Sequence, residues 1–121
     1  QGRGRGGGEV RKDRDMKVEI LFFEGCPNYL AARELVGRVL AEESVAADVE
    51  SIRITDQAGA EERRFIGSPT VRVDGLDVEP AARDITDYGF TCRVYRVGDT
   101  DTHVPPADMV REAVKAAGKL T

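Results

Sequence analysis

No apolar run in this chain approaches the roughly 20 residues that a helix needs to cross a bilayer, and no apolar core segment marks a secretory leader. There are only two cysteines, 66 positions apart. That is too few for a disulfide framework, and no C-x-x-C pair of the metal or dithiol type is present. Histidine occurs once, at His103. No internal repeat and no basic stripe is visible. The formal charge is −4, and because residues 1–15 hold a net +2, the remaining body carries −6. An acidic body without a basic face argues against nucleic-acid binding. The expectation is a cytoplasmic protein with no membrane association, in a reducing compartment where the cysteines are chemical or inert rather than architectural.

At 121 residues the chain suffices for one domain with its own core. Residues 1–15 are rich in Gly and Arg, with Val10 as their one apolar residue, and cannot bury enough surface to fold. They are read as a disordered tail ahead of a domain at 16–121. A remnant or mistranslated upstream stretch is favoured over an anion- or RNA-binding tail, and Met16 is a candidate natural start.

The stretch that organises the domain is Val18-Glu19-Ile20-Leu21-Phe22-Phe23-Glu24-Gly25-Cys26-Pro27-Asn28-Tyr29. A strand of branched and aromatic residues breaks at Gly25 and opens into a helix, with Pro27 suited to the first helical turn. Cys26 is then expected at the helix N-cap or one residue before it. There the unpaired amides and the positive end of the helix dipole favour a thiolate over a thiol. Cys26 is thus a candidate nucleophile, set against the ordinary alternative of a small buried hydrophobe.

From residue 27 to 44, Ala31, Ala32, Leu35, Val36, Val39 and Leu40 form one helical stripe. Asp48 to Ile54 reads as a strand. Thr55 or Asp56 then caps a short helix reaching about Phe65, with Gly67 beyond its end. Ser68-Pro69-Thr70-Val71-Arg72-Val73 is a third strand closed by an Asp74-Gly75 turn signal. Residues 76–90 read as an insertion of about a dozen residues, longer than most connections. Thr91 to Val97 alternates and is expected to be the last strand, antiparallel to the third. Its Cys92 and Val94 fall on one face, with Arg93, Tyr95 and Val97 on the other. Pro105-Pro106 opens a last helix with Met109, Val110, Ala113, Val114 and Ala117 as its stripe.

That order, with Gly25-Cys26-Pro27-Asn28-Tyr29 at the first strand-to-helix junction and Gly67-Ser68-Pro69-Thr70 opening the third strand, resembles the thioredoxin fold over about residues 16–118. It is similar to small bacterial thioredoxin-family proteins described as related to alkylmercury lyase, which share the Gly-Ser-Pro-Thr and Cys-Arg-x-Tyr segments. The Cys-Pro pair is also similar to that of glutaredoxins. The resemblance implies an α/β domain with a central mixed four-stranded sheet, three flanking helices and an insertion between the last two strands. It also implies that Pro69 is a cis-proline facing the Cys26 sulfur.

Tyr29 stands where a second cysteine is usual, so the chemistry implied is that of a single thiol. Catalysis is assigned to Cys26 with Pro69. Resolution falls to an external thiol, a partner's cysteine or Cys92, although Cys92 is expected to lie at the far end of its strand and pack in the core. Pro27, Tyr29, Ser68 and Thr70 are candidate substrate-binding residues. Tyr29 either donates to the thiolate or packs on the surface, while Arg93 and Arg96 are expected to be surface charges. No resident cofactor is expected, although glutathione or another low-molecular-weight thiol is a candidate co-substrate, and the partner is a thiol, a disulfide or a protein carrying one. The sequence selects no metal site, since Cys26, Cys92 and His103 match no zinc spacing. Two other readings stay open. One is a module that holds a soft metal, a metalloid or glutathione through Cys26, and the other is a redox-silent adaptor with the same shape.

Overall fold

The computed structural model describes residues 16–118. The reading of residues 1–15 as a tail lies outside them, as do residues 119–121. Four strands build one sheet: β1 (Lys17–Phe22), β2 (Asp48–Arg53), β3 (Thr70–Val73) and β4 (Leu76–Asp77). Their spatial order is β2-β1-β3-β4, with β1 parallel to β2 and antiparallel to β3, and β4 antiparallel to β3. Three helices pack around it: α1 (Tyr29–Glu42), α2 (Gln57–Glu62) and α3 (Ala107–Gly118). The architecture is therefore α/β with a mixed four-stranded sheet and three helices. None of these helices is long and apolar enough to cross a membrane.

Alternation along β1 explains the two-sided core, because successive side chains point to opposite faces. Val18 and Ile20 meet Leu35, Val36 and Val39 of α1 and Val110 and Val114 of α3, with Val71 and Val73 of β3 in the same cluster. Leu21, one residue out of phase, packs on the other face with Ile52, Ile54, Ala60 and Phe65, beside α2. The apolar stripe of α1 is buried at Ala32, Leu35, Val36, Val39 and Leu40. The Leu and Val side chains of this stripe contribute about 1.5–3 kcal/mol each when fully buried, so the stripe is what fixes the helix to the sheet. Asp56 caps α2 as anticipated, its carboxylate accepting the Gly59 amide at 2.7 Å. This helix stops at Glu62, short of Phe65.

The end of the sheet differs from the sequence reading. The last strand is Leu76–Asp77, reached directly through the two-residue Asp74-Gly75 turn, in which both residues have positive φ (50° and 86°). Such a turn matches the twist of its flanking strands and reverses the chain at once. Residues 76–90 are therefore not an insertion between the last two sheet strands. They begin with β4 itself, continue through a single 3-10 turn at Pro80–Ala82, and then run back across the molecule.

Thr91 to Val97 does not join the sheet as its last strand. Its end, β5 (Tyr95–Val97), pairs with β6 (Thr100–Thr102) as a separate hairpin. Its start makes one isolated parallel bridge, Cys92 to Ser68. The alternation holds from Cys92 to Tyr95 only. Its inner face carries Arg93 and Tyr95, which are buried, while Cys92 and Val94 are exposed. Val97, expected on the same face as Arg93 and Tyr95, is exposed as well.

Candidate active site

Where β1 ends, the chain turns before it winds. The Cys26 amide donates to the Phe23 carbonyl at 3.2 Å, and the Tyr29 amide donates to the Cys26 carbonyl at 3.4 Å. The N-cap of α1 is Asn28, so Cys26 lies two residues before the cap and Pro27 sits in the turn instead of the first helical turn. The expected placement is therefore late by one or two residues, because this turn consumes them before the helix begins. Cys26 is half-buried and free.

Tyr29 is drawn away from the sulfur. Its ring stacks on Phe22, with centroids 3.9 Å apart, and its hydroxyl donates to the Ser51 hydroxyl of β2 at 2.7 Å. The packed alternative for this residue is the one realised.

Opposite this turn lies the segment ahead of β3. The Ser68–Pro69 bond is cis, and Ser68, Pro69 and Thr70 are all buried. The Ser68 hydroxyl accepts the Phe23 amide at 3.3 Å, and the Thr70 hydroxyl donates to the Gly67 carbonyl at 2.5 Å. Both hydroxyls are thus engaged inside the fold. Phe23 is the hinge of the arrangement: its carbonyl takes Cys26 and its amide reaches Ser68, so the cysteine turn and the cis-proline segment share one residue.

Cys92 arrives at the same place. The Ser68 amide donates to the Thr91 carbonyl and the Arg93 amide donates to the Ser68 carbonyl, both at 2.9 Å. This overturns the placement of Cys92 at the far end of a sheet strand, packed in the core. It is exposed, and it lies beside the residue that precedes the cis-proline. The reason is topological. Because β4 already completes the sheet, residues 91–93 are free to cross to the backbone edge of Ser68, which they pair and cover.

What holds them there is a buried ion cluster that the sequence reading missed. Arg93 is not a surface charge. Its guanidinium makes a two-pronged pair with Asp77 (2.9 and 2.7 Å) and reaches Glu79 at 3.3 Å and Thr70 at 3.2 Å. It also stacks 4.1 Å over the Tyr95 ring. Burial alone pulls the Arg93 guanidinium down, but the Asp77 hydrogen bonds and the neighbouring charges outweigh it and hold it above its ordinary value. The Tyr95 hydroxyl donates to the Pro69 carbonyl at 2.6 Å, and burial pushes that phenol up, with nearby Arg93 opposing. The signal was present in the sequence. Asp77 and Glu79 sit close in sequence on either side of the buried Val78, and a buried carboxylate requires a cation.

Next to the cysteine turn, Phe23, Glu24, Arg53, Ile54, Thr55 and Phe90 line a shallow concavity. Phe23, Phe65 and Phe90 form an aromatic cluster there, Phe23 stacked on Phe90 at 5.8 Å. His103 reaches the same segment from another side, its Nδ1 lying 3.0 Å from the Arg93 carbonyl. Among the described residues no three His, Cys, Asp or Glu side chains are grouped to hold a metal ion.

Comparison with known proteins adds little to this geometry. No protein-family profile matches the chain, and no solved structure matches it. A protein named cyanide hydratase, from Armillaria gallica, is 35% identical over 68 residues. The match takes in 56% of this chain but 19% of that protein's length, so it does not carry that protein's activity across.

Proposed function

We propose that this chain is a thioredoxin-like domain that works in thiol–disulfide exchange through Cys26. The observation that supports this reading most is the junction at Phe23, where a half-exposed cysteine in the turn after β1 meets a cis Ser68–Pro69 bond. In the reaction, the Cys26 thiolate attacks one sulfur of a disulfide and forms a mixed disulfide as the other sulfur leaves. The concavity beside Phe23 and Phe90, with Ile54 in its lining, gives an incoming thiol or disulfide a partly apolar surface to rest on. A second thiol then releases the bound group. Tyr29, Ser68 and Thr70 serve this site by holding the turn and the cis-proline segment in place, not by reaching the substrate.

The test is turnover of a small organic disulfide with reduced glutathione as electron source. Cys26→Ser is expected to abolish it. If Cys26→Ser turns over like the wild type, the exchange reading fails and the redox-silent adaptor takes its place. Stoichiometric mercury binding that is lost in Cys26→Ser, without any exchange activity in the wild type, would favour the soft-metal module instead.

A further inference from the structure

We propose that residues 91–93 form a built-in strap that presents Cys92 to Cys26 as its resolving thiol, so that the protein completes exchange as a dithiol although it lacks a Cys-x-x-Cys pair. The inference rests on the exchange reading of Cys26 and names the second sulfur of that site.

The two cysteines are held beside two residues that are bonded to each other, Cys26 beside Phe23 and Cys92 beside Ser68. Cys92 is fixed beside Ser68 by two backbone hydrogen bonds of 2.9 Å, and paired strands place such neighbours about 4.8 Å apart. Cys26 is fixed to Phe23, whose own amide is bonded to the Ser68 side chain. The strap is held from behind as well as along its edge. Arg93 is locked by Asp77, Glu79, Thr70 and Tyr95, and Gly67 lets the two backbones close. A Cβ at Gly67 would sit 3.1 Å from the Arg93 Cα. Cys92 is therefore delivered to this spot by a rigid anchor, while its own side chain is left exposed and free.

The strap also occupies the backbone of Ser68. Its amide and carbonyl are both taken by residues 91–93, so the edge beside the cis-proline is already paired by the chain's own cysteine-bearing segment. A large peptide substrate has no open backbone edge at Ser68, which points to small disulfides as the class that reaches Cys26.

The electrons balance in two steps. The Cys26 thiolate attacks R–S–S–R, a Cys26–S–S–R bond forms as the S–S bond breaks, and one RS⁻ leaves. The Cys92 thiolate then attacks the Cys26 sulfur, a Cys26–Cys92 bond forms, and the second RS⁻ leaves. The two cysteine protons pass to the two departing thiolates, so a disulfide is reduced by two electrons while the protein dithiol is oxidised. An external thiol reductant such as reduced glutathione resets the pair.

The experiment treats the reduced full chain with oxidised glutathione, counts the reduced glutathione released, and maps the products by mass spectrometry without reduction. The wild type is expected to release two equivalents and yield a Cys26–Cys92 cross-link, and Cys92→Ser to release one and hold a stable glutathione adduct on Cys26. Cys92 is exposed, so this substitution leaves the core intact. A wild type that accumulates the Cys26 adduct, releases one equivalent and gives no cross-link overturns the resolving role while leaving exchange at Cys26 standing. No reaction at Cys26 in either protein overturns both.

Discussion

Tyr95 carries the burden of the strap's inner side at the scale of a single residue. Its phenol is buried and donates to the Pro69 carbonyl at 2.6 Å. Burial raises its proton affinity above that of a free tyrosine. When the pH passes about 10, the ordinary tyrosine value, the unfolded chain releases this proton while the folded chain retains it. The unfolded state then binds fewer protons, so stability is complete below that pH and falls above it. Urea unfolding across the alkaline range is expected to show this loss, and Tyr95→Phe is expected to flatten it. The same substitution leaves the Pro69 carbonyl unpartnered at neutral pH, at a cost of about 1–3 kcal/mol. An alkaline limb unchanged by Tyr95→Phe would contradict the assignment. Arg93 belongs to the same lesson. A side chain that composition places on the surface is kept inside by two carboxylates, Asp77 and Glu79, and by the face of an aromatic ring.

Among the elements, the ones with strong periodicity were legible. The stripes of α1 and α3, the branched strand β1 and the Asp56 cap of α2 lie where the pattern of residues puts them. What periodicity does not give is which face of a strand turns inward. From Cys92 to Tyr95 the alternation is correct, but an Arg–carboxylate cluster, not an apolar side, decides which face is buried. The edge strand Leu76–Asp77 is two residues long and carries no pattern of its own, so only the Asp74-Gly75 turn announces it. The candidate site was legible in part. Cys26 and the Ser68-Pro69-Thr70 run could be read locally, whereas the arrival of Cys92 beside Ser68 is a long-range consequence of β4 closing the sheet.

That consequence depends on Gly67, whose φ of 145° is unsuited to other residues and whose missing side chain lets Arg93 approach. Gly67→Ala is expected to cost about 1–3 kcal/mol, the range for a forced backbone conformation. Hydrogen exchange is expected to show loss of protection at the Ser68 and Arg93 amides. Full protection of both amides in the variant would show that the strap does not need this close approach.

Over the whole molecule, the sheet, two core layers and the strap converge on one end of β1, where the Cys26 turn reaches Ser68 through Phe23 and Cys92 pairs beside the same Ser68. Within the described residues the body is held by apolar packing on both sheet faces. The proposed chemistry falls on a surface turn that the core positions but does not bury, an arrangement suited to a reactive group on a rigid scaffold. The central claim is that this scaffold activates Cys26 toward disulfides. The most direct test is the rate at which Cys26 reacts with oxidised glutathione in the folded chain and in the same chain unfolded by urea, with a short cysteine peptide correcting for the denaturant. The folded chain is predicted to react about tenfold faster or more, as expected for a positioned reacting group. An equal or slower rate in the folded chain would contradict it.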